Sequence, residues 1–219
     1  EGRGCVRLVL ALALAALSLA GCQTMTRGST TSPPDAAAAQ AAQLARADAL
    51  GLVTGDCAAS TLVLTGRVAL SNGKQGGSGQ LEWTQGAGSL HLLLSAPITR
   101  QQWILDVDAA GATLQGVSNG PLHGSDAAGL LRDATGWDVP VAALGCWMRA
   151  VAADPARFGA AEIAYGADLL PMRIAQQGWV IDYRDWKRDP FSGLPMPTRI
   201  NAQRGDSRIR LIVDRWGLE

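Results

Sequence analysis

Apolar positions along this chain follow three different rhythms in turn. From Leu8 to Ala20 they run on without a break except at Ser18. In a helix those residues would cover roughly 20 Å, short of a bilayer core of about 30 Å, so the run reads as the apolar stretch of a signal peptide. Beyond a Thr, Ser, Gly and Pro-rich tether, the rhythm becomes helical. Asp35 is placed to cap an Ala-rich helix over 36–50 that has a thin apolar stripe of Leu44, Ala47 and Leu50, with Gly51 as its stop.

After Ser60 the period falls to two, the spacing of a half-buried strand. In "LVLTGRVAL", Leu62, Leu64, Val68 and Leu70 share a face, interrupted by Gly66, and Asn72-Gly73 marks a turn. Leu81 and Trp83 lie inward on the next strand, Leu90, Leu92 and Leu94 on the one after, and Trp103, Leu105 and Val107 on a fourth, with a shorter strand around 112–117. Two helices interrupt the strands. Ser125 or Asp126 caps "AAGLLRDATG", which Gly136 ends, and Pro140 opens a segment with Val141, Leu144, Met148 and Val151 at helical spacing beside Trp147. Alternation then resumes in "GWVIDYRDW", with Trp179, Ile181 and Tyr183 on one face, and in "TRINAQ" and "SRIRLIVDRW". The expected architecture is mainly β with helices (α+β): a meandering antiparallel sheet with one wet face, whose concave side two helices can plug.

Between the third and fourth strands the pattern fails. "SAPITR" is too polar for a core and too long for a tight turn, yet it places Pro97 and Ile98 where loop tips usually carry Gly, Asn, Asp or Ser.

Composition narrows the chemistry. The 219 residues are 47% apolar and 17% charged, which suits one domain with appendages, and 19 Lys and Arg balance 19 Asp and Glu, so nucleic acid is not an expected partner. The chain opens at Glu1 rather than methionine, so a true start upstream or an altered one is expected. Two histidines and no dense acidic cluster disfavour a metal enzyme. His91 lies on an alternating strand, His123 has no evident acidic or cysteine partner, Ser78 lacks the nucleophile spacing, and Asp106 and Asp108 read as a solvated rim. No catalytic residue, metal or cofactor is expected. Seven tryptophans admit two explanations, an ordinary core or a cavity too wide to fill that would take a greasy ligand.

The apolar run ends in "LAGC", which resembles the bacterial lipobox. That resemblance implies a signal peptide over 1–21, lipidation of Cys22 after cleavage before it, a tether over 22–35 and a domain over 36–219. Gln23 beside the lipidated cysteine implies passage to the outer membrane. Cleavage removes Cys5 and lipidation uses Cys22, leaving Cys57 and Cys146, either as one disulfide in an oxidising periplasm or as two buried thiols.

Taken in order behind that lipobox, "LVLTGRVAL", "GGSGQLEW", "LLLSAPI", "VPVAALGCWM", "IAQQGWVIDY" and "RIRLIVDRW" resemble the LolB family of outer-membrane lipoprotein receptors. The resemblance implies an unclosed antiparallel β-barrel over a hydrophobic cavity, with helices as a lid, a fold shared with the soluble carrier LolA. It implies a monomer that takes acylated lipoproteins from a LolA-like carrier and inserts them into the inner leaflet of the outer membrane. It makes Pro97, Ile98 and Thr99 the membrane-inserting loop, with Thr99 where the family usually has Gly. The implied acyl-chain lining is Leu81, Trp83, Leu92, Leu94, Trp103, Leu105, Trp147, Met148, Trp179 and Tyr183. Further departures are Gly77, where a larger residue is common, and Ala150, where Gly often stands. The rival readings are a lipid-binding lipoprotein of the same fold with another client, or a structural envelope lipoprotein with a filled core.

Overall fold

A computed structural model describes residues 34–52, 55–86 and 88–217. The signal segment, Cys22 and the tether up to residue 33 lie outside the described residues. Helix α1 spans Ala36–Ala49; the strands β1 to β6 span Leu62–Ser71, Gly76–Gly86, Ser89–Ala96, Gln101–Asp108, Gly111–Gln115 and Leu122–Gly124. Helices α2, Ala127–Thr135, α3, Val141–Met148, and the short α4, Pro155–Phe158, follow, and β7 to β11 span Glu162–Tyr165, Pro171–Gln176, Trp179–Arg188, Pro195–Arg204 and Ser207–Gly217.

All eleven strands form one sheet in the order β6-β5-β4-β3-β2-β1-β11-β10-β9-β8-β7. Each neighbour is antiparallel, so the chain makes two meanders joined where β1 pairs with β11. The outer strands β6 and β7 are not paired with each other, which leaves the barrel unclosed, and both are short, so little unpaired backbone is offered to another chain. The register of β1 against β11 shifts between Thr65 and Gly66. Gly66 is required there because a Cβ would collide with the carbonyl oxygen of Ile212.

Helix α3 shows that the sheet curls. It is apolar on nearly every side, as a fully enclosed helix must be, burying Val141, Ala143, Gly145, Cys146, Trp147 and Met148. The Trp147 indole N–H donates to Gln176 Oε1 on β8 at 2.9 Å, and the Tyr183 hydroxyl on β9 donates to the Trp147 carbonyl at 2.7 Å. Gly145 lies against the Gln85 side chain on β2. In the sheet order β2 and β8 are five strand spacings apart, about 24 Å if flat, more than a helix can bridge. The sheet therefore wraps α3. Core residues from β1 to β5 and from β8 to β11 join α3 in one cluster.

Cys57 and Cys146 are joined in a disulfide, with Cα atoms 5.2 Å apart, fastening the segment before β1 to α3. Helix α1 begins as expected, with Asp35 Oδ1 accepting from the Ala38 N–H at 2.7 Å, and of its apolar stripe Ala47 and Leu50 pack on the core while Leu44 does not. Leu44 is 62% exposed. The helix is also docked by Arg46, which donates to the Arg149 carbonyl at 2.8 and 2.9 Å and to the Pro195 carbonyl at 2.9 Å, with its guanidinium 4.9 Å from the centre of the Trp186 ring.

Helix α2 is the lid. Asp126 caps it, its carboxylate accepting from the Gly129 N–H at 2.7 Å, and Leu130, Leu131 and Ala134 are half-buried against the core. Just past its end, Arg204 of β10 donates to the Asp138 carbonyl at 2.9 Å and to its carboxylate, while Arg132 lies 3.7 Å from the same carboxylate. Beta strands 6 to 8 and α4 were not anticipated from the pattern of the sequence.

Candidate lipid site

Strand register sorts the expected lining residues into rows. Leu64, Trp83, Leu92, Leu105 and Leu114 lie directly opposite one another from β1 to β5, and Leu81, Leu94 and Trp103 form the adjacent row. Leu81, Trp83, Leu105, Trp147, Met148, Trp179 and Tyr183 are buried in the common cluster. Leu92, Leu94 and Trp103 are half-buried. Leu70, Leu92, Leu94, Val117 and Ile209, with Leu130, Leu131 and Ala134 of α2, are half-buried and pack against this cluster. Hollows of about 550 and 450 Å³ lie elsewhere: one among Asp182, Arg184, Arg199 and Arg210 on the outer face, the other where the end of α2 meets the β1–β2 turn.

One end of the sheet gathers the features of interest. Strands β1, β3, β8 and β10 end there and β2, β4, β9 and β11 begin there, so the 72–75 turn, the 97–100 loop and the 177–178 and 205–206 turns share that end. The end of α2 joins them, with Gly136 against Asn72. The 97–100 loop closes between the paired residues Ala96 and Gln101. Its four residues are all exposed, and Ile98 at the tip is 97% exposed. The left-handed step of the turn falls on Arg100, at φ 57°, and not on Thr99. A threonine where a glycine is usual therefore does not strain this loop.

Indole chemistry divides the buried tryptophans. Trp147 is paired as described, and the Trp216 N–H donates to the Pro197 carbonyl at 3.1 Å. The N–H groups of Trp83 and Trp179 find no protein acceptor. A desolvated donor left unpaired costs roughly 1–3 kcal/mol. Trp179 heads β9 at the loop end, with its ring 6.4 Å from that of Trp147 and 5.1 Å from the Arg204 guanidinium.

Polar residues that the hydrophobic rhythm does not reveal support the interior. Gln176 bridges Trp147, the Ala153 backbone and the Gly159 carbonyl. Arg149, directly after α3, is buried and donates to the Gly145, Thr61 and Cys57 carbonyls and to Ser60 Oγ. Burial lowers the guanidinium of Arg149 to about 10, and that of Arg46 likewise, so both remain cations at neutral pH. Burial also holds the Tyr183 phenol well above its ordinary value. Outside the interior, His91 pairs with Asp106 at 2.6 Å and His123 with Thr113 at 3.0 Å, both exposed.

A family model described as LolB, outer membrane lipoprotein LolB, matches residues 61–216. The chain belongs to the LolB family. An outer-membrane lipoprotein LolB from Xanthomonas campestris pv. campestris (strain B100) is 36% identical over 215 residues, covering 97% of both chains. Its namesakes from Xanthomonas oryzae pv. oryzae (strain MAFF 311018) and Xylella fastidiosa (strain 9a5c) are 40% and 38% identical, each over 69% of this chain and 70% and 68% of their own. A crystal structure of a LolA superfamily protein from Nitrosomonas europaea aligns with 83% of this chain and 93% of its own at a TM-score of 0.49 and 10% identity. As a LolB-family chain this is an outer-membrane lipoprotein concerned with lipoprotein localisation, and not an enzyme.

Proposed function

We propose that this LolB-family chain is the outer-membrane receptor that takes acylated lipoproteins from a LolA-like periplasmic carrier, holds their acyl chains inside the half-barrel, and inserts them into the inner leaflet. The observation that carries the reading is Ile98: an aliphatic side chain 97% exposed at the tip of the β3–β4 hairpin, whose strands turn Leu92, Leu94, Trp103 and Leu105 toward the core. An exposed apolar residue costs little in water, yet held on a short hairpin it is placed to enter a bilayer.

Physical arithmetic supports a protected route. Each acyl CH2 released into water costs about 0.8 kcal/mol, so chains must pass from one apolar environment directly to the next. With no energy source in the site, direction follows from affinity, rising from carrier to receptor to bilayer. Lifting α2, which packs on β5, β6 and α3, would uncover part of the apolar interior. Cys22 serves as the lipid anchor, and residues 23–35 as the tether that lets the domain reach the carrier. Dense packing of the interior favours the rival reading, a structural lipoprotein with a filled core. Displacement of a bound fluorescent fatty acid separates the two, since a filled core takes up none.

The decisive test is lipoprotein delivery in cells depleted of their own receptor. Wild type should rescue, and Ile98→Glu should accept lipoproteins but leave them uninserted. Rescue by both would reduce Ile98 to a surface residue; rescue by neither, with the matching carrier supplied, would end the receptor reading.

A further inference from the structure

Polar satisfaction inside the half-barrel is nearly complete, and its exceptions are informative. Gln85, Gln176, Arg149 and the Tyr183 hydroxyl all make hydrogen bonds, as do the indoles of Trp147 and Trp216. Among the described residues, the buried side-chain donors without a partner are the indole N–H groups of Trp83 and Trp179, each residue 1% exposed. Native interiors seldom leave such groups unpaired, and an exception calls for a role.

Both belong to the buried cluster inside the half-barrel. Trp179 sits at the loop end beneath Arg204, the residue that ties the exit of α2 through Asp138. Trp83 lies further in, between Leu64 and Leu92 in the central row. An interior whose other polar side chains are paired, and which keeps two free indole donors, complements a ligand that is mostly hydrocarbon and carries acceptors. Acyl esters and amides fit that description, because their carbonyl oxygens accept while the chain behind them is inert.

We propose that the indole N–H groups of Trp83 and Trp179 donate hydrogen bonds to ester or amide carbonyl oxygens of a bound acylated lipid, so that the interior prefers acyl chains to plain alkyl chains of equal length. This rests on the receptor reading. The indole body supplies apolar contact and its single donor supplies the selectivity, a division of labour that Phe cannot reproduce.

The test uses the chain from residue 22 onward with Cys22→Ala, which keeps every described residue. A fluorescent fatty acid is bound first, then displaced with dioctanoylglycerol or with the dioctyl ether of glycerol, which has the same chain length and no carbonyl. The ester should bind more tightly by about fivefold for each hydrogen bond made. Replacing both tryptophans, Trp83→Phe with Trp179→Phe, should bring the ester-to-ether ratio to about one. In the protein with both tryptophans intact, the two indole proton resonances should move downfield with the ester and not with the ether, a readout that decides the matter even where the Phe variant does not fold. Equal affinities for ester and ether, unmoved indole resonances, or a ratio unchanged in the Phe variant would each overturn the proposal while leaving the receptor reading in place. Failure of both lipids to displace the probe, or of the probe to bind, would sink the two together.

Discussion

Arg100 holds the one left-handed backbone step in the 97–100 loop, a conformation that costs an L-residue roughly 1–2 kcal/mol. Arg100→Gly should therefore stabilise the fold by about 1 kcal/mol in urea melts, after the added entropy of glycine in the unfolded chain is deducted. A loss of stability would mean that the side chain does more than tolerate the turn. Tyr183 gives a second residue-scale prediction. Its folded-state pKa lies above the ordinary phenol value, so above about pH 10 the unfolded chain loses the proton while the folded chain keeps it. Its contribution is fully present below that pH and declines as pH rises beyond it. The stability gap between wild type and Tyr183→Phe, measured at pH 8 and pH 11, should narrow at the higher pH; a constant gap would refute the assignment. Ile98 was legible in the sequence because an aliphatic residue between two alternating runs has no strand face to occupy. Arg46 and Arg149 were not, since a charged residue enters an interior only where carbonyls from distant segments converge, and no local pattern announces those.

At the scale of elements, the disulfide fastens α3, the helix the sheet wraps, to the chain before β1. Its ends are 89 residues apart, and a native bridge closing a loop of that order typically stabilises by about 2–4 kcal/mol. Reduction should lower the melting temperature by about 5 to 15 °C for a domain of this size, and the same reductant should leave a Cys57→Ala, Cys146→Ala double variant unmoved. A wild-type melt insensitive to reductant would mean that packing alone positions α3. Period-two alternation disclosed β1 to β5 and β9 to β11, caps disclosed α1 and α2, and Pro140 with helical apolar spacing disclosed α3. It failed from 152 to 177 for physical reasons. The four residues of β7 are too few to show a period, and β8 opens on Pro171 and buries Gln176 where alternation would ask for a hydrophobe. That glutamine is inward because it completes the Trp147 indole and the Ala153 backbone, a requirement set by α3.

For the molecule as a whole, the lid's tie to the sheet is the feature most open to test. Asp138→Asn weakens the contact with Arg204, and exposed ion pairs of this kind are weak. Amides of α2 should exchange with solvent faster by on the order of two- to fivefold, with those of β1 and β11 unchanged. Uniform change across the sheet would mean that α2 is not an independently opening unit. The row arrangement of the interior and the covering of its concave side by helices were legible from the sequence; that α2 packs on β5 and β6 was not, because nothing local tells a helix which half of a meander to cover. Sheet order has one more consequence, for secretion. Every paired couple of strands but one is consecutive in sequence; β1, the first to emerge, is completed on its second side by β11, the last. A chain threaded across a membrane from its N-terminus can form each meander as it arrives, yet the seam through the middle of the sheet stays unzipped until translocation is all but finished. The protein thus spends its export with a central strand half-paired until its final residues arrive.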